Sequence, residues 1–161
     1  MHTSIQRPAP GVEAFFLIRY TELRAPRRLR MGGWARVTGM QNLEDFNGFC
    51  ASLPATTYVV QWGGSHVWKV GGKVFAIAGW HRDEPTFTFK VSDIAFEVLK
   101  MQPGLRPAPY LASRGMKWIQ HFTSPGLNDD ELLEYIRRSH VIVSRGLSKR
   151  MRAQLGLDGA W

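Results

Sequence analysis

The dipeptide Gly71–Gly72 limits the fold of this chain more than any other feature of its sequence. It separates two runs that are rich in β-branched and aromatic residues, 66–70 and 73–78. Two-residue glycine loops are typical of β-hairpins, because the loop positions need positive φ, which glycine adopts without steric cost. The sequence therefore predicts an antiparallel hairpin that turns at this point.

The same turn sets the register of the predicted sheet. Residues 86–91 alternate between polar and apolar side chains, so we expect them to extend the hairpin into a meander. The expected pairs are Val70 with Lys73, Trp68 with Phe75, Phe75 with Phe89, and Ile77 with Phe87. One face then forms a core wall of Trp68, Phe75, Ile77, Phe87, Phe89 and Val91. The other face is small, polar and basic, and carries Lys69, Val74, Ala76, Thr86, Thr88 and Lys90.

Helix signals lie on both sides of these strands. Three residues suited to N-capping precede helical patterns, namely Asn42, Ser92 and Asn128, and a last basic helix begins at Ser148. The helices are predicted at 43–53, at 93–101, from 129 onward, and from 148 to 155. Residues 106–110 must be extended, because a residue before proline avoids the helical region, and 117–122 is a further predicted strand. The expected fold is α/β of the α+β kind: a twisted antiparallel sheet with helices packed on one face.

The composition predicts one globular domain. The chain has 161 residues, of which 44% are hydrophobic and 12% aromatic, and a domain of this size needs no disulfide or metal to fold. Its one cysteine, Cys50, lies on the apolar stripe of the first predicted helix, so we expect a buried, unreactive thiol. No apolar run reaches the ~18 residues of a membrane-spanning helix. We therefore expect a cytoplasmic, monomeric protein that does not associate with membranes.

The basic charge is concentrated in the first quarter of the chain. The formal net charge is +8, and residues 1–39 supply +5 of it through seven arginines and two glutamates. We expect 1–39 to be a poorly ordered leader or a mis-assigned start, with translation beginning at Met31 or Met40. A phosphate-binding arginine arm and an element packed on the body are the alternatives. The domain is then expected at 40–156, followed by a tail at 157–161.

Four segments occur in an order that resembles a known family. They are VWKVGGKVFAI from Val67, TFTFKVS from Thr86, RPAPYLASRGMKWIQ from Arg106, and LNDDELLEYIRRSHVIVSRGLSKRMR from Leu127. The most specific pieces are Lys69 and Lys73 around the glycine turn, Pro109-Tyr110-Leu111 followed by Lys117-Trp118, and the helix at 132–147. Together they resemble the MmcQ/YjbR family of small bacterial proteins over residues 40–156.

The resemblance implies a frataxin/CyaY-like fold, strand hairpins that form a "double wing", and DNA binding inferred from shape and charge. Lysine and arginine side chains would then bind phosphates without reading the base sequence. The residues expected to contact DNA are Lys69, Lys73, Arg82, Lys90, Arg106, Arg114 and Lys117. The aromatic residues expected to stack on exposed bases are Trp80, Tyr110 and Trp118.

Other interpretations of these residues stay open. A lysine-bearing sheet face is often only solvated, and Tyr110 and Trp118 also suit core positions with polar tips. The basic residues of the last two helices are a second candidate surface for phosphate. The alternative function is a non-catalytic module that binds a protein partner or a small anionic ligand. A metal-handling protein that uses the acidic turn 129–131 is another.

No catalytic pattern is present in the sequence. The histidines show neither i, i+4 pairing nor HExxH spacing, and neither Gly-Gly pair leads into the helix and Lys-Ser/Thr of a phosphate-binding loop. We therefore expect a protein that is not an enzyme and that needs no cofactor or metal.

Overall fold

The computed structural model of the protein describes residues 42–159. These residues form four α-helices, six β-strands and a short 3-10 helix at Ala112–Arg114. The helices are α1 (Leu43–Ser52), α2 (Asp93–Leu99), α3 (Asp129–Arg145) and α4 (Lys149–Gln154). The strands are β1 (Thr56–Gln61), β2 (Ser65–Val70), β3 (Lys73–His81), β4 (Glu84–Lys90), β5 (Leu105–Pro107) and β6 (Trp118–His121). The leader predicted at 1–39 lies outside the described residues.

The strands form one antiparallel sheet in the order β1-β2-β3-β4-β6-β5. Helices α1 and α3 pack on the same face of it. Phe46 of α1 contacts Phe87 with 5.3 Å between the ring centroids, and Tyr135 of α3 stacks on Phe89 at 5.7 Å. The expected α+β fold, with helices on one face of an antiparallel sheet, is confirmed.

The three predicted N-caps, Asn42, Ser92 and Asn128, are confirmed, and Ser148, predicted as the first residue of the last helix, is its N-cap. The side chains of Asn42, Ser92, Asn128 and Ser148 each accept a hydrogen bond from the backbone N–H three residues later. At Asn128 the bond is reciprocated, because the Glu131 carboxylate accepts from the Asn128 N–H at 3.0 Å. This capping box and the favourable charge at a helix N-terminus account for the acidic turn 129–131.

A β-bulge in β3 makes the predicted register wrong by one residue. Val70 pairs with Lys73 as expected, but Trp68 pairs with Ala76 and leaves Phe75 without a partner in β2. Beyond the bulge, Phe89 therefore pairs with Ala76 and not with Phe75. An extra residue in one strand shifts every later side chain of that strand.

Because of the bulge, Ala76 and Ile77 lie on the faces opposite to those predicted. Ala76 pairs with Phe89, whose ring contacts helix α3, so Ala76 belongs to the core and is fully buried. Ile77 pairs with Thr88 and points to the opposite face. Phe75 remains fully buried, and its ring contacts that of His140 edge-on at 5.0 Å.

Strand β1 was not among the strands expected from the sequence. Its segment, TTYVVQ, is rich in β-branched residues and leads into the turn at Trp62-Gly63-Gly64, so the signal of a hairpin is present. The strand pairs with β2 over its whole length. It forms one edge of the sheet.

Cys50 lies in the core, as predicted. It is fully buried in the cluster that joins α1 to the sheet and to α3. Burial raises the pKa of its thiol well above the ordinary value, so the unreactive protonated form is favoured. Within residues 42–159 there is no helix with the length and apolar character needed to cross a bilayer.

Candidate nucleic-acid interface

The sheet presents its second face away from α1 and α3. Side chains paired across antiparallel strands point to the same face of the sheet. The pairs that alternate with the core pairs therefore place basic, polar and apolar side chains on this face. We call this set the second face: Val67, Lys69, Val74, Ile77, Thr86, Thr88, Lys90, Arg106, Trp118 and Gln120. This set contains three cations, and the same alternation places the acid Glu84 on this face beside the β3–β4 turn.

Lys69 and Lys90 lie towards the same end of the second face. Lys69 is on β2 and Lys90 on β4, with β3 between them, so their backbones are about 10 Å apart, or two inter-strand spacings. The Lys90 ammonium lies 6.0 Å from the centre of the Trp118 ring. Both lysine side chains are half-buried at the base and neither forms an ion pair within the described residues.

Arg106 is held in place by a row of contacts across the second face. Its Nε–H donates to Gln120 Oε1 at 2.8 Å, and Gln120 Nε2–H donates to Thr88 Oγ1 at 3.2 Å. The guanidinium also lies 4.4 Å from the centre of the Phe122 ring. An arginine fixed by hydrogen bonding and stacking loses little side-chain entropy when it binds an anion.

The floor of the second face is closed to a ligand. Val67, Thr86 and Thr88 are almost fully buried, and Trp118 is 5% exposed. Trp118 is therefore a structural residue, and the prediction that it stacks on a base is wrong, because its ring offers no open surface. A ligand approaching this face reaches the ends of the long basic side chains.

The remaining predicted basic residues lie elsewhere. Lys117 precedes Trp118 in the strand and faces the helical layer, where its ammonium lies 4.8 Å from the centre of the Phe96 ring. Arg114 lies in the 3-10 helix and Lys73 at the exposed start of β3. Arg82 occupies the β3–β4 turn with positive φ. The seven predicted cations therefore do not form one patch, and three of them share the second face.

Exposed aromatic residues lie at both ends of the sheet. Trp80 is 60% exposed beside the β3–β4 turn. Tyr110 is 85% exposed in the loop after β5, at the opposite end, where Trp118 pairs with Lys90. The sequence analysis missed Trp62, which is 65% exposed at the β1–β2 turn. Because β1 and β3 run in the same direction, Trp62 and Trp80 lie at one end of the sheet and Lys69 and Lys90 towards the other.

Several other cations of the described chain are neutralised by carboxylates. Arg137 and Arg138 both bind Glu134, at 2.7 and 2.8 Å, Lys100 pairs with Glu97, and Arg152 with Asp158. Those pairs belong to the helices and the C-terminal segment. The described residues hold no cluster of three or more histidine, cysteine, aspartate or glutamate side chains that could bind a metal ion.

These features define a class: a two-layer α+β protein with helices on one face of an antiparallel sheet and unpaired basic residues on the other. The YjbR family model matches residues 51–142, more than half of the chain, and the protein belongs to the YjbR family. The resemblance predicted from the sequence is thereby confirmed.

One solved structure supports the same fold. The crystal structure of Deinococcus radiodurans protein DR2400, which carries the DUF419 domain, is similar to this chain with a TM-score of 0.65. The two are 24% identical, and the match covers 73% of this chain and 90% of DR2400. DUF419 is the YjbR/MmcQ family. No curated protein matches the chain.

Proposed function

We propose that this protein binds duplex DNA with low sequence specificity, through phosphate contacts from Lys69, Lys90 and Arg106 on the second face. The observation that carries the proposal is that these three cations share one face of the sheet and that none of them has a carboxylate partner among the described residues. Arg137, Arg138, Lys100 and Arg152 have carboxylate partners on the helical side. No such partner reaches the three cations of the second face within residues 42–159.

The buried floor of the second face supports low specificity. Base readout requires side chains that enter a groove and contact base edges. The residues between the basic side chains are almost fully buried. DNA would therefore contact the ends of the lysine and arginine side chains. Such contacts bind the phosphate backbone and depend strongly on salt.

The test is charge reversal on the second face of the full chain. In the double variant Lys69→Glu, Lys90→Glu, two phosphate contacts are lost. Counterion release assigns to each contact about a tenfold share of affinity at ~50 mM salt, so affinity for a labelled duplex should fall about a hundredfold or more. Circular dichroism and thermal melting check that the variant is folded.

The matched control carries the same charge change on another basic surface. Lys149 and Arg150 are exposed in α4 and have no ion-pair partner within the described residues. The variant Lys149→Glu, Arg150→Glu should lose much less affinity than the second-face variant. If the control loses binding and the second-face variant retains it, the C-terminal helices are the DNA surface and the proposed site is wrong.

A further inference from the structure

Strand β1 is an unprotected edge of the sheet. Among the described residues no strand pairs with its outer side, and its six residues include neither proline nor a charged side chain. The opposite edge, β5, has three residues, among them Arg106 and Pro107. Edge strands are usually short or contain proline or charged residues, which prevents pairing with another chain. Strand β5 has these protective features and β1 has none of them.

A groove runs beside this edge, between α1 and the sheet. Its volume is about 620 Å³, and it is lined by Glu44, Asn47, Gly48, Ala51, Tyr58 and Trp68. The residues from α1 recur at intervals of three and four and so share one side of that helix. A Cβ atom at Gly48 would have no atom within 4 Å, which shows that the helical wall is open at that position.

The floor of the groove is fixed by hydrogen bonds. Trp68 Nε1–H donates to Asn47 Oδ1 at 2.9 Å. The Asn47 amide nitrogen and the Tyr58 hydroxyl lie 3.0 and 2.9 Å from His66 Nδ1, and either of them can donate to its single lone pair. The Tyr58 and Trp68 rings are 5.1 Å apart and inclined at 42°. The aromatic surface is therefore in place before a ligand arrives.

The charge of the groove indicates which kind of side chain it can bind. Glu44 is its only charged lining residue and has no ion-pair partner within residues 42–159. Helix α1 also carries Asp45 and no basic residue, although the whole chain has a net charge of +8. A lysine or arginine side chain suits this site, because its methylene stem can cover aromatic rings while its charged end reaches a carboxylate.

We propose that β1 and this groove form a docking site for an extended segment of a partner protein that carries a lysine or arginine. The segment adds to the free edge of β1 as a seventh strand through main-chain hydrogen bonds. Its basic side chain lies over the Tyr58 ring, which is 46% exposed, and ends at Glu44. Edge addition of this kind draws affinity from the backbone and specificity from a side-chain pocket.

The test uses the full chain and a fluorescent pentapeptide, acetyl-Thr-Val-Lys-Val-Thr-amide, beside the same peptide with norleucine or glutamate in place of lysine. Binding is followed by fluorescence anisotropy and by shifts of the Thr56–Gln61 amide signals in NMR spectra. The lysine peptide should bind about fivefold or more tightly than the norleucine peptide, as expected for one partly exposed charge pair. Glu44→Gln should remove that difference.

A matched pair of variants at Gly48 tests the groove itself. Gly48→Ala adds one methyl group in open space and should leave peptide affinity unchanged within about twofold, because the groove stays open. Gly48→Leu fills the groove and should lower affinity at least tenfold, an effect of about 1.4 kcal/mol. Both substitutions are compatible with a helix, so both variants should fold.

Three results would overturn the proposal. The first is that the β1 amides show no shift at about 2 mM peptide. The second is that the lysine and norleucine peptides bind with equal affinity. The third is that the chain dimerises in sedimentation experiments and the peptide does not compete with dimer formation. The last result would assign the edge to a second copy of this chain. Because the second face lies on the other side of the sheet, Lys69→Glu, Lys90→Glu should leave peptide affinity intact, which separates this test from that of DNA binding.

Discussion

At the scale of single residues, Ser139 connects helix α3 to both central strands. Its hydroxyl accepts the Lys90 backbone N–H at 2.8 Å and donates to the Phe75 carbonyl at 2.6 Å. Phe75 is the bulged residue of β3, so one serine secures the point at which the ladder is interrupted. Ser144 on the same helix is equally buried, but its hydroxyl has no hydrogen-bond partner within the described residues.

Replacement of the two serines with alanine should have different effects on stability. Ser139→Ala leaves a buried N–H and a buried carbonyl unsatisfied and should lower the free energy of unfolding by about 2–4 kcal/mol. Ser144→Ala removes an unsatisfied hydroxyl and should be neutral or slightly stabilising. Urea denaturation of both variants measures the difference. Equal losses for the two would mean that the hydroxyl of Ser139 contributes nothing specific.

His121 gives stability a dependence on pH. Burial lowers the pKa of its ring below the ordinary value, and the nearby backbone of Leu127 offsets only part of this effect. Burial lowers the pKa of His140 as well. Below pH ~6.5 the unfolded chain binds protons that the folded chain does not bind. The free energy of unfolding should therefore decrease as the pH falls through this value.

Replacing His121 with phenylalanine should flatten this dependence. The ring packs near Phe87, with 6.3 Å between the centroids, and phenylalanine keeps the planar shape without the titrating group. One proton fewer reduces the slope by up to about 1.4 kcal/mol per pH unit. Urea titrations of the wild type and His121→Phe between pH 5 and 8 (about the range of histidine titration) measure it. Parallel stability curves for the two proteins would contradict the assignment.

At the scale of elements, the predictable parts of the fold are those with local causes. The hairpin at Gly71–Gly72 and the N-caps Asn42, Ser92 and Asn128 depend on a few adjacent residues, so the sequence predicts them correctly. At the bulge, the Phe75 carbonyl accepts a hydrogen bond from Ser139, which lies 64 positions further along the chain. Counting residue pairs outward from the turn does not take that contact into account, so the predicted pairs are wrong from the bulge onward.

The connection before β5 depends on the lack of a side chain at Gly104. Gly104 has a φ of +81°, and a Cβ atom there would lie 2.2 Å from the Thr123 carbonyl oxygen. Gly115 has a similar φ, +76°, but open space around the Cβ position. Gly115→Ala should therefore cost about 1 kcal/mol of backbone strain alone. Gly104→Ala should cost at least ~2 kcal/mol more, because backbone atoms must move. Thermal melting of the pair tests this, and equal melting temperatures would contradict it.

At the scale of the whole molecule, the candidate site was predictable in composition but not in arrangement. The sequence identifies Lys69 and Lys90 as neighbours on one sheet face, because both lie in strands with clear alternation. It counts Lys117 among the DNA-contacting cations as well, although the Lys117 ammonium lies over the Phe96 ring on the helical side. It also misjudges Trp118, since burial of a large ring depends on what surrounds it in space.

The charge distribution predicts how DNA affinity depends on salt. Each phosphate contact contributes about −0.9 to the slope of log affinity against log salt. The neutral variant Lys69→Gln, Lys90→Gln should therefore have a slope shallower by about 1.8 than that of the wild type. Filter binding or anisotropy across salt concentrations provides both slopes. An unchanged slope with reduced affinity would show that the lysines act on folding and not on phosphates.

The unequal edges of the sheet also decide how far this chain can assemble. A protein that can be extended at both edges can add subunits without end and so form fibres. Here β5 is short and contains Pro107, which lacks the N–H that a new strand would need, while β1 has no strand on its outer side among the described residues. If the proposed partner strand binds to β1, growth by edge pairing stops after that single addition, because β5 offers no second edge.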